Sequence, residues 1–373
     1  MNNFVGNMPS HLGQLHNLRH LILDHNNIVG DISFINTLVN CSKLEVLDLK
    51  GNRFTGTLPK AIANLSTKLT FLAIGENPIS GRIPREISNL MNLDNLWMEA
   101  NGITGTIPWD LGKLRKLEKI EETYAALLWT FLNSNRLNGE IPDSFGNLSR
   151  LSKLYLNDNE LHGRIPLSLG NCVNLLYLDL SSNKFTGSLY NKLFTETNFV
   201  ELNVSQNHLE GSIPMEISNQ VSLVKLDVSS NKFSGEIPDV FNNLPTLQKL
   251  YMAHNFFHGL IPQSFASLKS LLEVDLSHNR LSGPVPRYLS SFPLIYLNLS
   301  YNNFEGEVPT KGIFANASAI SLVGNNRLCG GISELHLPRC VKKAPKKTRM
   351  YYTLKLVLLG LCFKEIWMEK QLL

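Results

Sequence analysis

The chain has 373 residues, a formal net charge of +4 and five cysteines. Eight Lys or Arg against two Glu lie from Val341 onward, so the basic excess belongs to a short tail and the rest is slightly acidic. That placement argues against nucleic-acid binding by the body of the chain.

The first residues carry no basic start followed by an apolar run, so they are not a secretory leader. Asn2-Asn3-Phe4-Val5-Gly6-Asn7-Met8-Pro9 aligns instead with Asn52-Arg53-Phe54-Thr55-Gly56-Thr57-Leu58-Pro59. The chain is therefore expected to begin inside a repeat, as a fragment or gene model lacking its start, without the polar cap that a stack of repeats needs over its first coil.

The repeat unit is clearest at Leu151 to Pro166. Leucines fall at Leu151, Leu154, Leu156 and Leu161, followed by Gly163 and Ile165-Pro166. Leu154-Tyr155-Leu156 alternates apolar, polar, apolar, the period of a short strand with one buried face. Asn159 ends that strand, and its amide can both donate to and accept from backbone groups of its own and the neighbouring turn. The equivalent Asn recurs at Asn2, Asn26, Asn52, Asn77, Asn101, Asn135, Asn159, Asn183, Asn207, Asn231, Asn255, Asn279, Asn302 and Asn325. The spacing is 23 to 26 residues throughout except for one interval of 34. One unit cannot bury its leucines alone, so stacked copies are required. The fold class is α/β: a leucine-rich-repeat solenoid wound as a right-handed superhelix, with a parallel sheet on the concave face and short helical or 3-10 turns on the convex face. Repeats are expected over residues 1–328, a cysteine cap over 329–340 and a basic tail over 341–373.

Two coils depart from the pattern early. Asp31-Ile32 stands where others have Ile-Pro, and the 34-residue interval contains Glu121 to Thr130 as ten extra residues. Deleting those ten would give a well-formed strand ending at Asn135. They are expected to be a surface loop or a mis-joined exon rather than an island reaching toward a ligand. Tyr190 replaces the Pro of a later coil. Cys41 and Cys172 each lie eleven residues before a ladder Asn, a phase that buries them as small hydrophobes. In the tail, basic residues precede Leu356 to Phe363, eight apolar residues between Lys355 and Lys364. A membrane-spanning helix needs about 20 apolar residues, so this stretch is too short to span; basic residues followed by apolar ones favour the stump of a spanning helix over a disordered end. Cys362 within it has no assigned role.

The Gly-x-Ile-Pro element, as in Gly81-Arg82-Ile83-Pro84, Gly105-Thr106-Ile107-Pro108, Gly139-Glu140-Ile141-Pro142, Gly163-Arg164-Ile165-Pro166 and Gly211-Ser212-Ile213-Pro214, resembles the plant class of leucine-rich repeat. Gly324-Asn325-Asn326-Arg327-Leu328-Cys329-Gly330-Gly331 and Leu337-Pro338-Arg339-Cys340 resemble the C-terminal cap of plant receptor-like kinases. Leu38-Val39-Asn40-Cys41-Ser42 is similar to the immune-receptor group that includes the EF-Tu receptor and the rice bacterial-blight receptors. The resemblance implies a Cys329–Cys340 disulfide closing the stack and an ectodomain at the plasma membrane with its repeats extracellular. It further implies a peptide or protein ligand, a smaller leucine-rich-repeat co-receptor kinase near the C-terminal coils, and membrane association through the full-length parent. The chain shows no kinase motifs and no catalytic or metal-ligating set, so no enzyme activity and no cofactor are expected. A soluble decoy, a binder resembling polygalacturonase-inhibiting proteins, and a non-functional receptor fragment are the alternatives.

Solenoids bind along extended faces. Residues six, four, two and one before each ladder Asn face the concave side, on coils about 4.8 Å apart. The large ones there are the candidate contacts: Phe71, Trp97, Glu99, Lys153, Tyr155, Tyr177, Lys249, Tyr251 and His254, because aromatic and charged residues dominate interface energetics. Asp48, Asp179, Asn203, Asp227, Asp275 and Asn298 recur at the middle strand position and read as repeat consensus. Asn-x-Ser glycosylation sequons occur at Asn40, Asn64, Asn147, Asn203, Asn298 and Asn316. Glycans at Asn203 and Asn298 would obstruct the concave face.

Overall fold

The computed structural model of the chain describes residues 2–114 and 129–341. The chain divides into two units, residues 1–339 and 340–373. The expected insertion falls outside the described residues from Glu121 to Leu128, as do the tail beyond Val341 and Cys362.

From His20 onward the coils of the first unit contribute strands, three residues long except the last, to one parallel sheet. Among the described residues that sheet has thirteen strands, from His20–Ile22 to Ile320–Ser321, in sequence order. The strand Lys153–Tyr155 pairs residue for residue with Tyr177–Asp179, and that with Glu201–Asn203. The central residue of each strand points inward. Leu151, Leu154, Leu156, Leu161, Ile165 and Leu169 are all at most 2 % exposed, and the same positions of neighbouring coils join them in one continuous apolar core.

The ladder asparagines hold the coils in register. Asn159 donates from Nδ2 to Leu132 O in the preceding coil at 3.0 Å and to Leu156 O in its own coil at 3.1 Å. Its Oδ1 accepts from Leu137 N at 2.9 Å. Asn183, Asn207, Asn231 and Asn255 repeat this set. One side chain thus satisfies backbone groups that the turn would otherwise bury unpaired.

Sequence reading did not anticipate a second parallel sheet. The segment after each ladder Asn, as in Glu160–Arg164, Lys184–Gly187 and His208–Gly211, is itself a strand. Among the described residues eleven such strands run from Ser80–Arg82 to Arg327–Gly330, and Val5–Asn7, Asn27–Asp31 and Arg53–Thr55 form a separate three-stranded sheet. The glycine of Gly-x-Ile-Pro sits within these strands at positive φ, +80° at Gly163, where a Cβ would meet the Glu140 side chain at 2.6 Å. Its Pro then precedes a 3-10 turn: Pro166 is extended, with ψ 138°, and accepts from Leu169 N.

The two departures from Ile-Pro change the turn. Where Asp31-Ile32 stands, the coil makes a helical turn Ile35–Leu38, and Asp31 accepts from Ser33 N at 2.8 Å. Where Tyr190 replaces Pro, the coil makes the helical turn Lys192–Thr195. These are the α-helical turns of the described residues.

Cys41 and Cys172 are free and fully buried. The Cys172 thiol, pushed up to about 12 by burial, donates to Phe145 O at 3.2 Å. Gln220 occupies the same phase, also fully buried, and bridges Phe194 O, Thr197 O and Phe199 N. Cys329 and Cys340 are both disulfide-bonded.

At the 34-residue interval the sheet is unbroken. Trp129–Phe131 pairs with both Asn95–Trp97 and Lys153–Tyr155. Trp129 and Thr130, expected to lie in the insertion, therefore belong to the sheet. Thr130 sits in register between Leu96 and Leu154, 3 % exposed, and its hydroxyl has no hydrogen-bond partner.

Candidate ligand-binding surface

The strands leave two outward positions each, and pairing in register turns them into rows. One row reads Trp97, Phe131, Tyr155, Asp179, Asn203, Asp227, Tyr251, Asp275 and Asn298. The other includes Lys153, Tyr177, Glu201, Lys225, Lys249, Glu273 and Tyr296.

An aromatic strip occupies the N-terminal half. Phe71 meets Trp97 edge-on at 5.0 Å, Trp97 meets Phe131 edge-on at 5.5 Å, and Phe131 stacks on Tyr155 at 4.8 Å. All four are half-buried, since each covers its neighbour and leaves one side open. Contacts of this geometry contribute about 0.5–1.5 kcal/mol each beyond area burial. Phe131 was missed among the candidates, although its place four residues before Asn135 was legible. Lys153 lies over the Tyr177 ring at 4.3 Å and extends the strip by one coil. Burial, reinforced by Glu201, Asp179 and Tyr177, pushes the Tyr155 hydroxyl up to about 12, so it is a neutral hydrogen-bonding group at physiological pH.

Glu99 has a different role from the one its position suggested. It is 7 % exposed and lies beneath Lys50, whose Nζ is 2.6 Å from Glu99 Oε1 and 3.2 Å from Glu76 Oε1. Lys50 reaches across the intervening coil because that coil has Gly75, where a Cβ would fall 2.6 Å from the Glu99 carboxylate. Burial works against the ammonium charge, but the two carboxylates outweigh it and hold Lys50 above its ordinary pKa. The same Nζ sits 5.2 Å from the Trp97 ring centre. Lys50, not Glu99, is the group presented beside the strip.

In the C-terminal half the chemistry is ionic. Lys225 pairs with Glu201 at 2.6 Å and Lys249 with Glu273 at 2.8 Å, while Tyr251 donates its hydroxyl to Glu273. Lys249 and Tyr251 together hold the Glu273 carboxyl below its usual range. His254 lies at the turn, at φ +54°, and stacks on His278 at 4.0 Å, which in turn meets Tyr301 at 4.3 Å. Apart from buried Glu99, the candidates therefore fall into three groups: the aromatic strip with Lys153 and Tyr177, the Lys249–Tyr251 cluster, and His254 on the turn edge. Glu201, Asn203, Lys225 and Asp227 separate the first from the second.

The middle-row acids are engaged locally. Asp179 Oδ1 accepts from Ser181 N and Oγ at 2.9 and 2.6 Å, and Asp227 binds Ser229 the same way. Asn40, Asn64, Asn147 and Asn316 are exposed. Asn203 and Asn298 use the amide nitrogen that would carry a glycan to bond Asp179 and Asp275, at 3.2 and 3.1 Å. Among the described residues no group of His, Cys, Asp or Glu is arranged to hold a metal ion, and no helix is long and apolar enough to cross a membrane.

Sequence and fold place the chain in the leucine-rich-repeat family. A leucine-rich repeat region model matches residues 3–163, and leucine-rich repeat models match 221–281, 174–194, 198–220 and 293–311. Within that family the chain is similar to plant receptor-like kinases. It is 50% identical over 74 residues to the LRR receptor-like serine/threonine-protein kinase EFR of Arabidopsis thaliana, covering 20% of this chain and 7% of that protein. It is 44% identical over 95 residues to the receptor kinase-like protein Xa21 of Oryza sativa subsp. japonica, covering 24% and 9%. The matched segments thus span less than a tenth of these relatives' length. Among solved structures, the Arabidopsis receptor kinase HAESA ectodomain, in complex with an IDA peptide hormone ligand, aligns with TM-score 0.75 and 31% identity over 88% of this chain and 57% of that one. The plant peptide hormone receptor RGFR1, in complex with RGF2, aligns with TM-score 0.72 and 32% identity over 88% and 54%.

Proposed function

We propose that the chain is the extracellular ligand-recognition region of a plant receptor kinase and binds a peptide along the outer face of the long sheet. The observation that carries this reading is the continuous strip Phe71–Trp97–Phe131–Tyr155, flanked by Lys50 and Lys153. Pre-packed aromatic rings offer large contact area at little ordering cost, and an extended peptide matches a run of parallel rows. The peptide-hormone complexes of HAESA and RGFR1 support a peptide as ligand class. A HAESA complex that also contains the co-receptor SERK1, 28% identical with TM-score 0.68, supports a co-receptor as second partner, which on this reading docks near the C-terminal coils. Full-length parentage would anchor the protein at the plasma membrane, in immune or developmental signalling, with glycans on the four exposed sequons.

The test is selection of a random twelve-residue peptide library on the purified chain. Enrichment of binders that fail to bind a Trp97→Ala/Tyr155→Ala variant supports the assignment. Selected peptides that bind the variant as well as the parent count against it.

A further inference from the structure

The flank of the solenoid formed by the second sheet carries a groove of about 610 Å³ that the peptide-binding reading does not use. Its origin lies in one residue per coil. The side chain after each Gly of Gly-x-Ile-Pro normally covers the glycine of the next coil: Arg82 lies over Gly105, Glu140 over Gly163, Arg164 over Gly187 and Glu236 over Gly259. At two successive coils that side chain is Ser188 and Ser212. A Cβ at Gly211 would meet only Ser188 Cβ at 3.3 Å, and one at Gly235 only Ser212 Cβ at 3.7 Å. The cover is missing, and the floor opens between Arg164 and Glu236.

The rim is cationic and aromatic. Arg164, Lys232 and Arg280 line the groove with Glu210, Tyr190 and Phe256. Arg164 Nη1 donates to the Tyr190 hydroxyl at 3.3 Å, and the Arg280 guanidinium lies 5.2 Å from the centre of the Phe256 ring, which is 43 % exposed. Tyr190 is the residue that stands where other coils have Pro. On strands of the same sheet Lys184 pairs with Glu160 and Arg327 with Glu305. Arg164, Lys232 and Arg280 have no carboxylate within 4.0 Å among the described residues.

From this we infer that the flank groove docks an acidic peptide segment of a partner protein, its carboxylates meeting Arg164, Lys232 and Arg280 and an apolar or aromatic side chain meeting Phe256 and Tyr190. Three cations against one carboxylate set the sign of the partner's charge. Glu210 inside the groove repels a uniform polyanion such as a polyuronate chain and suits a peptide, whose backbone N–H groups it can accept from. The site lies on a different sheet from the aromatic strip, so it stands or falls independently of the proposed ligand face.

The test is fluorescence anisotropy of the full chain with a labelled Glu-Phe-Glu-Glu-Phe-Glu peptide and, separately, labelled oligogalacturonate, both at 50 mM salt. The inference predicts saturable peptide binding that falls at least tenfold in Lys232→Glu/Arg280→Glu. It also predicts loss of binding in Ser188→Arg, which restores the cover seen at other coils and so retains the fold while adding a positive charge. Peptide binding that is unchanged or stronger in Ser188→Arg would overturn the groove in favour of general charge attraction. Tighter binding of oligogalacturonate than of peptide would overturn the partner class.

Discussion

Single residues set the stack's register and its local weak points. Asn183 donates to Leu156 O, Leu180 O and Ser181 O and accepts from Leu161 N. Asn183→Ala leaves these groups buried and unpaired, so urea denaturation should show a loss of about 3–5 kcal/mol. The opposite holds at Thr130, where a hydroxyl occupies a leucine position without a partner. Thr130→Val keeps the shape and removes the unsatisfied group, and should raise stability by about 1–2 kcal/mol in the same experiment. Histidine chemistry offers a third test. Burial, followed by the stacked His254, holds the His278 imidazole below its ordinary value of 6.5. Because the folded value is depressed, the contribution is complete above the unfolded value and is lost as pH falls through the folded one. An NMR titration should place the His278 midpoint below 6.5, and His254→Ala should move it back up. The ladder Asn and the leucines were legible from spacing alone, because backbone satisfaction and burial repeat in every coil. The His254–His278–Tyr301 stack was not, since it depends on side chains from three coils meeting at the turn edge.

Elements are fixed by what one coil lends the next. The second sheet escaped sequence reading because its strands contain glycine and alternate weakly; neighbouring coils, not local propensity, make them strands. The two helical turns, by contrast, follow from the two positions where Ile-Pro is replaced. Lys50 and Glu99 show the same limit at the candidate site. They lie 49 residues apart in sequence and meet only because Gly75 leaves a gap between their coils. Lys50→Met should strand a buried carboxylate and cost about 3 kcal/mol, whereas Lys50→Met/Glu99→Met should recover most of that loss. Thermal and urea unfolding of both variants check this, and equal destabilisation by the single and double changes would refute the pairing.

At the scale of the molecule, the stack separates shape from recognition. Leucines, ladder asparagines, glycines and Ile-Pro steps build coils that are nearly interchangeable, and such coils present whichever side chains the consensus leaves open. Much of the candidate surface was therefore readable by counting back from each Asn, including Phe71, Trp97, Tyr155 and the Lys249–Tyr251 cluster. Phe131 was readable by the same count but missed. The count alone could not tell an exposed group from one covered by a neighbour, as at Glu99. On the proposed reading the aromatic strip is the ligand-contacting surface. Its most direct test is calorimetric titration of the strongest library-selected peptide into the parent chain, Trp97→Ala/Tyr155→Ala, and the flank-groove control Ser188→Arg. The expected result is an at least tenfold weaker Kd, about 1.4 kcal/mol or more, for the strip variant with unchanged thermal unfolding, and no change for Ser188→Arg. An unaltered Kd in the strip variant would contradict it.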